Sequence, residues 1–482
     1  MTSIKKQLVS GSIYNGLAKY LTMFCNIVVT AILARIIPPT DFGVVAITTV
    51  IISFFDLFAD IGLGPAIIQS KDLSSSDFSN IFTFSGIFAL FLASVFFAMS
   101  VPLSSFYNED RLIPLLRLLS VQLFFTALSV LPRSLMLKKK RFKQISIVTV
   151  SNVAFWGFVS VIAAKLGLGI YSLLITPIGV AVCNFIFYYF LCQETIKFTF
   201  HPSFSSLKKL LSFSLYQFGF NCINFFSRNL DKLLIGKKLG MTDLGYYEKS
   251  YRMMLLPLSS LSQVFAPTIQ PILSEFDTQK SVILSVYYKL SKYLLAIGSV
   301  LTPFLFFSSK ELILLVFGDQ WINAIPIFQI LSISVLFQLL DSISGAFLQA
   351  ANVPRYLFVS GLMCAILNVS CILIGLFLFN DLYKVAFLVS MALCFNLWIS
   401  VYYIVIKTFH QTLGSYLKLF IKPMIACLFV CFALYCLNFL QGEVSMIVLF
   451  LIKFIITGAI FWIFYAKSDY IDISSRFIKS LL

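Results

Sequence analysis

Two stretches about 200 residues apart carry one pattern twice, at a single ungapped offset far longer than the periods of solenoid repeats. Ser12-Ile13-Tyr14-Asn15 leads to Ala34-Arg35, then to Thr40-Asp41-Phe42-Gly43 and Pro65. Ser214-Leu215-Tyr216-Gln217 leads in the same way to Gly236-Lys237, Thr242-Asp243-Leu244-Gly245 and Pro267. Further on, Ile113-Pro114-Leu115-Leu116 with Leu119-Ser120 answers Ile325-Pro326-Ile327-Phe328 with Leu331-Ser332, so one small insertion separates the two registers. The duplicated unit is a multi-helix half. In a membrane protein, a repeat of that size points to two lobes on either side of a pathway.

Composition says where those halves sit. The chain is 59% hydrophobic and 12% charged, with a mean hydropathy of +0.94, well above the apolar share of soluble domains. Stretches of about 20 predominantly apolar residues recur with short polar breaks from Ile13 to Ala466, which predicts roughly fourteen spans. The fold class is an all-α polytopic membrane protein. No break is long enough to hold an appended catalytic head.

The spacing places span 1 at Ile13 to Leu33, closed by Pro38-Pro39, and span 2 at Val44 to Ile68. Span 3 covers Phe78 to Met99, Asn108 to Arg111 forms an outer turn, and span 4 ends in Lys138-Lys139-Lys140-Arg141. Spans 5 and 6 cover Ile145 to Lys165 and Ile170 to Leu191. The polar connection from Gln193 to Lys209 then closes the first half. The expected organisation is an N-lobe over 1–208 (spans 1–6), a C-lobe over 209–406 (spans 7–12), and 407–482 holding spans 13 and 14 with a cytoplasmic tail. An even number of spans per half gives both halves the same orientation, a parallel rather than an inverted repeat.

A formal charge of +16 could point to nucleic acid, but the basic residues are dispersed among apolar spans. Even-numbered loops and both tails hold about 22 of the 36 Lys and Arg, the positive-inside pattern, which puts both termini in the cytoplasm. The first apolar stretch is too long for a signal-peptide core and is expected to be retained. The ten cysteines fall almost entirely in apolar stretches without a CxxC, and His201 and His410 lie in loops, so no metal site is expected.

Charges inside spans cost about 2.5–3.5 kcal/mol each on insertion scales and therefore mark candidate sites. Lys19 lies in span 1, Arg228, Asp231 and Lys232 share one face of span 7, and Arg252 lies in span 8 where it can pair with Glu248. Lys19, Arg228, Lys232 and Arg252 are the expected substrate-binding cations, since a phosphate crossing a low-dielectric lumen needs charge-assisted donors. Structural pairing of Arg228 with Asp231, and of Glu248 with Arg252, is the competing reading. Asp60, Asp231 and Asp341 are the candidate acids for ion coupling. Arg35, Arg133 and Lys237 lie near helix ends, where snorkelling accounts for them, and Lys453 is expected to snorkel from greater depth. Pro65, Pro177, Pro267, Pro271 and Pro303 are candidate bending points. The halves share turns and prolines but not charges: Lys19 falls opposite Asn221, Asn26 opposite Arg228, and Thr30 opposite Lys232.

Asp41-Phe42-Gly43 followed by Asp60-Ile61-Gly62-Leu63-Gly64-Pro65-Ala66-Ile67-Ile68-Gln69 resembles the helix 2 signature of Wzx-type polysaccharide exporters of the MOP superfamily. Asn229-Leu230-Asp231-Lys232-Leu233-Leu234-Ile235-Gly236, with Leu239-Gly240 and Leu244-Gly245-Tyr246-Tyr247, resembles that family's helix 7 and 8 pattern. The resemblance covers most of the chain and weakens in the last two spans. It implies a MATE-like fold of fourteen helices in two pseudo-symmetric six-helix lobes plus two extra helices. The implied activity is a non-enzymatic flippase in the bacterial inner membrane, which moves an undecaprenyl-diphosphate-linked oligosaccharide of O-antigen or capsule type to the periplasmic leaflet by alternating access. It implies no cofactor beyond H⁺ or Na⁺ as coupling ion. The implied partners are the lipid-linked glycan, membrane lipid and other polysaccharide assembly proteins, and not nucleic acid. The alternatives are a multidrug antiporter of the same superfamily, which a cationic lumen disfavours, and a polysaccharide polymerase or ligase, which would need a long external loop.

Overall fold

A computed structural model describes residues 2–60, 64, 67, 74–192, 196–199, 222, 225, 226, 228–273 and 279–466. Among them the chain is helical, with no strand. Eleven helices are long and apolar enough to cross a membrane, or twelve when one bent pair counts as a single span. Span 7 of the expected fourteen begins outside the described residues, and only 228–238 form a longer described helical run there. The expected lobe boundary at 208/209 and the bending point Pro65 also lie outside. The chain divides into two compact units, Met1–Gly245 and Tyr246–Leu482.

In the first unit, α1 (Thr2–Ile36) starts earlier than expected, because nothing between Thr2 and Ser12 breaks a helix. α2 (Pro39–Asp60) begins with Pro at its first position, where a fixed φ and a missing N–H suit a helix start. Thr40-Asp41-Phe42-Gly43 is therefore the first turn of α2 rather than a loop. α3 (Ser75–Ala98) is opened by a capping box in which Ser74 Oγ accepts from Asp77 N–H and the Asp77 carboxylate accepts from Ser74 N–H. A short α4 (Ser100–Tyr107), then α5 (Leu112–Lys138), α6 (Phe142–Lys165) and α7 (Ser172–Cys192) complete the set. α5 is central, packing against α2, α3 and α7, while α1 lies along α6. The segment 196–199 is pinned to α3: Lys197 N–H donates to Ser79 Oγ and Thr199 N–H to Thr83 Oγ1, both at 3.1 Å.

The two ends of this unit differ in chemistry. At one end Arg111 bridges Asp41 and Glu109, at 2.7 Å to each. Its hydrogen bond holds the Glu109 carboxyl below the ordinary glutamate value, and the same bond raises Arg111. Lys237 donates to the Phe106 carbonyl and sits 4.8 Å from that ring's centroid. At the other end Lys138 Nζ donates to the Ile67 carbonyl at 3.2 Å and Arg141 to the Leu191 carbonyl at 2.9 Å.

The repeated motif meets itself here. α8 (Met241–Leu273) opens with the second copy, and the hydroxyls of Thr40 and Thr242 lie 2.8 Å apart. A Cβ on Gly43 would overlap the Met241 carbonyl, and one on Gly245 would overlap the Pro39 carbonyl. The two contacts are related by the repeat offset, so the first turns of α2 and α8 cross around a local twofold with glycine at the closest approach.

The second unit is built around α9 (Lys280–Phe307), whose Ile283, Tyr287, Leu290 and Leu294 form one buried face at helical spacing. It is followed by α10 (Ser309–Phe317), α11 (Ala324–Ser332), α12 (Val335–Asp341), α13 (Ser344–Ala350), α14 (Pro354–Ile374), α15 (Leu382–Val401), α16 (Ile421–Asn438) and α17 (Met446–Phe461). The expected span 10 is broken: α11 meets α12–α13 at a 48° bend. No proline sits at the break. Ser332 and Ser334 each donate to the carbonyl three residues back, at 2.7 Å, which competes with the backbone ladder. α15 is capped by Asp381, whose side chain accepts from Lys384 N–H.

α17 is fixed by a buried charge pair. Lys453 Nζ lies 2.6 Å from Glu311 Oε1 and 2.8 Å from the Phe307 carbonyl, with the two side chains 0% and 2% exposed. Lys453 therefore does not snorkel. Residue 311 lies on α10, against which α17 packs, so a carboxylate is within reach and the outward path is not needed.

Candidate functional site

α2, α5, α6 and α7 enclose a cavity of about 590 Å³ in the first unit, within the roughly 300–1,000 Å³ range of ligand sites. Thr126, Ser129, Arg133 and Leu137 of α5 recur at helical spacing and form one wall. Ser129 and Ser134 donate to the Phe125 and Val130 carbonyls at 2.7 Å, so α5 itself satisfies these hydroxyl donors. On the opposite side Tyr188 and Thr149 share a hydrogen bond of 3.0 Å, and Asn152 Nδ2 donates to Asn184 Oδ1 at 2.7 Å.

Two charges meet this cavity. Asp56 enters from α2 with Oδ1 buried and without a hydrogen-bond partner. Arg133 is exposed on the wall and has no ion pair among the described residues. Expected near the membrane interface because of its closeness to a helix end, it also lines the cavity, since α5 runs on to Lys138 and places it more than a turn inside the helix. Asp56 stands four residues before Asp60, the acid of α2 expected from the sequence to couple an ion. α2 ends at Asp60, whose side chain lies outside the described residues.

Of the expected substrate residues, Lys19 is exposed on α1, Arg228 is exposed and Lys232 half-buried on the 228–238 helix, and Arg252 is exposed on α8. Arg252 belongs to the second unit and the other three to the first. Asp231 is 4% exposed, and its Oδ1 accepts from the Lys232 N–H at 2.8 Å. The structure thus gathers Arg228, Asp231 and Lys232 on adjacent turns. Arg252 itself is exposed, and no ion pair of it is found among the described residues. None of the four cations lines the 590 Å³ cavity.

Asp341 ends α12 beside the hydroxyls of Ser344 and Ser400. Its Oδ1, the Ser344 Oγ and the Tyr287 hydroxyl are buried without a completed hydrogen bond. Tyr287 stacks on Tyr416 with ring centroids 5.7 Å apart, and the Tyr416 hydroxyl donates to Ser291 at 3.5 Å. A carboxyl ringed by hydroxyls can hold a proton or a small cation as hard oxygen ligands do. The sequence marked Asp341 without this cluster, since Ser400 and Tyr287 come from helices distant in the chain and Ser344 is an unremarkable serine three residues on.

Comparison with known proteins agrees with this architecture. A family model described as polysaccharide biosynthesis protein matches residues 32–326. The chain is 23% identical to the teichuronic acid biosynthesis protein TuaB of Bacillus subtilis, over 73% of this chain and 72% of that one. It is 25% identical to the lipopolysaccharide biosynthesis protein WzxC of Escherichia coli, over 72% and 71%. The solved structure of the lipid II flippase MurJ in an inward closed conformation superposes with a TM-score of 0.74 at 14% identity, covering 98% of this chain and 99% of that one. This likeness is one of fold and bears out the all-helical, many-spanning architecture. With more than half its length matched by the family model, the chain belongs to the polysaccharide biosynthesis protein family.

Proposed function

We propose that the chain is a flippase that carries an undecaprenyl-diphosphate-linked oligosaccharide from the cytoplasmic to the periplasmic leaflet of the bacterial inner membrane. The observation that carries this reading is the family match over residues 32–326, where relatives are named for the biosynthesis of two different polymers, teichuronic acid and lipopolysaccharide. What these names have in common is the biosynthesis of a surface glycan rather than one sugar. A polar path spares the glycan roughly 2–7 kcal/mol for each hydroxyl that hydrocarbon would leave unsatisfied, while the lipid tail stays in the bilayer.

In this reading Lys19, Arg228, Lys232 and Arg252 hold the diphosphate, the charge-dense part of the cargo. Support comes from the exposure of Lys19, Arg228 and Arg252, which leaves their charges open to a ligand. Exchange against H⁺ or Na⁺ runs through Asp60, Asp231 or Asp341, and the hydroxyls around Asp341 favour that acid. The lobes are 1–208 and 209–406, with both termini cytoplasmic. Replacing Arg228→Ala and Lys19→Ala, each alone, is expected to lower surface glycan several-fold at unchanged membrane abundance, read by glycan staining and immunoblot. Wild-type glycan in both variants would remove these positions from the site.

A further inference from the structure

Among its described lining residues, the cavity of the first unit has a charge balance that fits neither a diphosphate nor a cation. Eight of these thirteen residues are polar, and they include one carboxylate and one guanidinium. Asp56 and Arg133 face the same space, yet neither neutralises the other. A diphosphate placed there would meet the buried carboxylate, at the elevated cost of like charges away from water, and an organic cation would meet the exposed guanidinium, at a smaller cost. A hydroxyl group meets neither penalty, because it donates to the carboxylate and accepts from the guanidinium. The rest of the wall continues this logic. Asn184 spends its oxygen on Asn152 and keeps its amide hydrogens, and Thr149 with Tyr188 offers paired hydroxyls.

We infer that this cavity is a saccharide site, which takes sugar rings of the transported glycan while the diphosphate is held elsewhere. Asp56 accepts from ring hydroxyls, and Arg133 and Asn184 donate to ring oxygens. The inference rests on the flippase reading for the identity of the cargo, but not for the chemistry of the cavity. It also explains how relatives named for different polymers can share a family. Short hydroxyls and one amide on rigid helices recognise sugars as a class, with few directional constraints for one stereochemistry.

The test is saturation-transfer NMR on the purified full chain in nanodiscs, with a panel of neutral, amino and uronic di- and trisaccharides as probes. Inorganic pyrophosphate and tetramethylammonium serve as competitors. The expected result is transfer to ring protons of at least one saccharide that neither competitor displaces. Asp56→Asn and Arg133→Gln are each expected to weaken it by about tenfold, the loss typical of a hydrogen bond to a charged group. Thr126→Val, which removes one hydroxyl at constant shape, gives a smaller loss and stands in should either charge variant fail to fold. Absence of transfer from the whole panel, displacement by pyrophosphate, or equal transfer in all the folded variants would each overturn the saccharide site. Surface glycan measured in the same variants separates the two claims. Wild-type export together with unaltered saccharide binding ends the cavity assignment alone, whereas the flippase reading stands or falls with whether deleting the chain abolishes the glycan.

Discussion

The side chains that define this molecule are charges whose partners the sequence does not display. Lys453 is completely buried against Glu311, a residue 142 positions away. Removing one member strands the other: Lys453→Met is expected to destabilise by about 3–5 kcal/mol, whereas Glu311→Leu with Lys453→Met together is expected to return close to wild type or above it. Thermal unfolding of the purified protein in detergent checks this, and a double variant as unstable as the single one would show that the pair acts through something other than charge compensation. The cost of buried charge made Asp231, Asp341 and Lys453 legible as unusual positions. What each one does was not legible, because Glu311 reads as part of a polar connection, and Ser344, Ser400 and Tyr287 are ordinary residues until α12, α13, α15 and α9 bring them to one place. Arg133 shows the same limit. Its nearness to a helix end read as interface, and only the packing of α5 against α2, α6 and α7 reveals a cavity wall.

Helices were legible where their ends carry explicit chemistry. Pro38-Pro39 lies at a real boundary, whereas the Ser74 to Asp77 box and the Asp381 cap were identified only from the structure. The 48° bend between α11 and α12 was not legible, since it depends on serine hydroxyls competing for carbonyls rather than on proline. Pro132, in contrast, lies within a helix that continues on both sides. The crossing of α2 and α8 gives the repeat a physical cause. Gly43 and Gly245 are retained in both copies because each is overlapped by a carbonyl of the opposite copy. Gly43→Ala and Gly245→Ala are each expected to cost about 1–3 kcal/mol, as overpacking does. The same small separation of the two helices relieves both clashes, so the double variant should cost clearly less than the sum. Strict additivity in a thermal double-mutant cycle would mean that the two contacts are independent and the local twofold is incidental.

At the scale of the molecule, duplication and charge bias carry different information. The repeat gives two similar halves, and the unequal distribution of Lys19, Arg228 and Lys232 shows that the scaffold was copied while the charges were not. Within the first unit, the ion pairs of Arg111 with Asp41 and Glu109 join the first turn of α2 to the loop after α4, whereas Lys138 and Arg141 reach Ile67 and Leu191 at the opposite end. Odd and even connections therefore segregate to separate ends, as up-and-down threading requires. The contacts fix which loops share a side but not which side is cytoplasmic. That choice follows from charge alone, because the end carrying Lys138-Lys139-Lys140-Arg141 is the more basic, and basic loops stay inside. In a variant with all ten cysteines replaced, Asp110→Cys is expected to react with a membrane-impermeant maleimide in intact spheroplasts, and Lys139→Cys only after permeabilisation. Both positions are exposed, so lack of reaction reports sidedness rather than burial. The reverse pattern would invert the whole chain and place the Lys138-Lys139-Lys140-Arg141 end on the outer face.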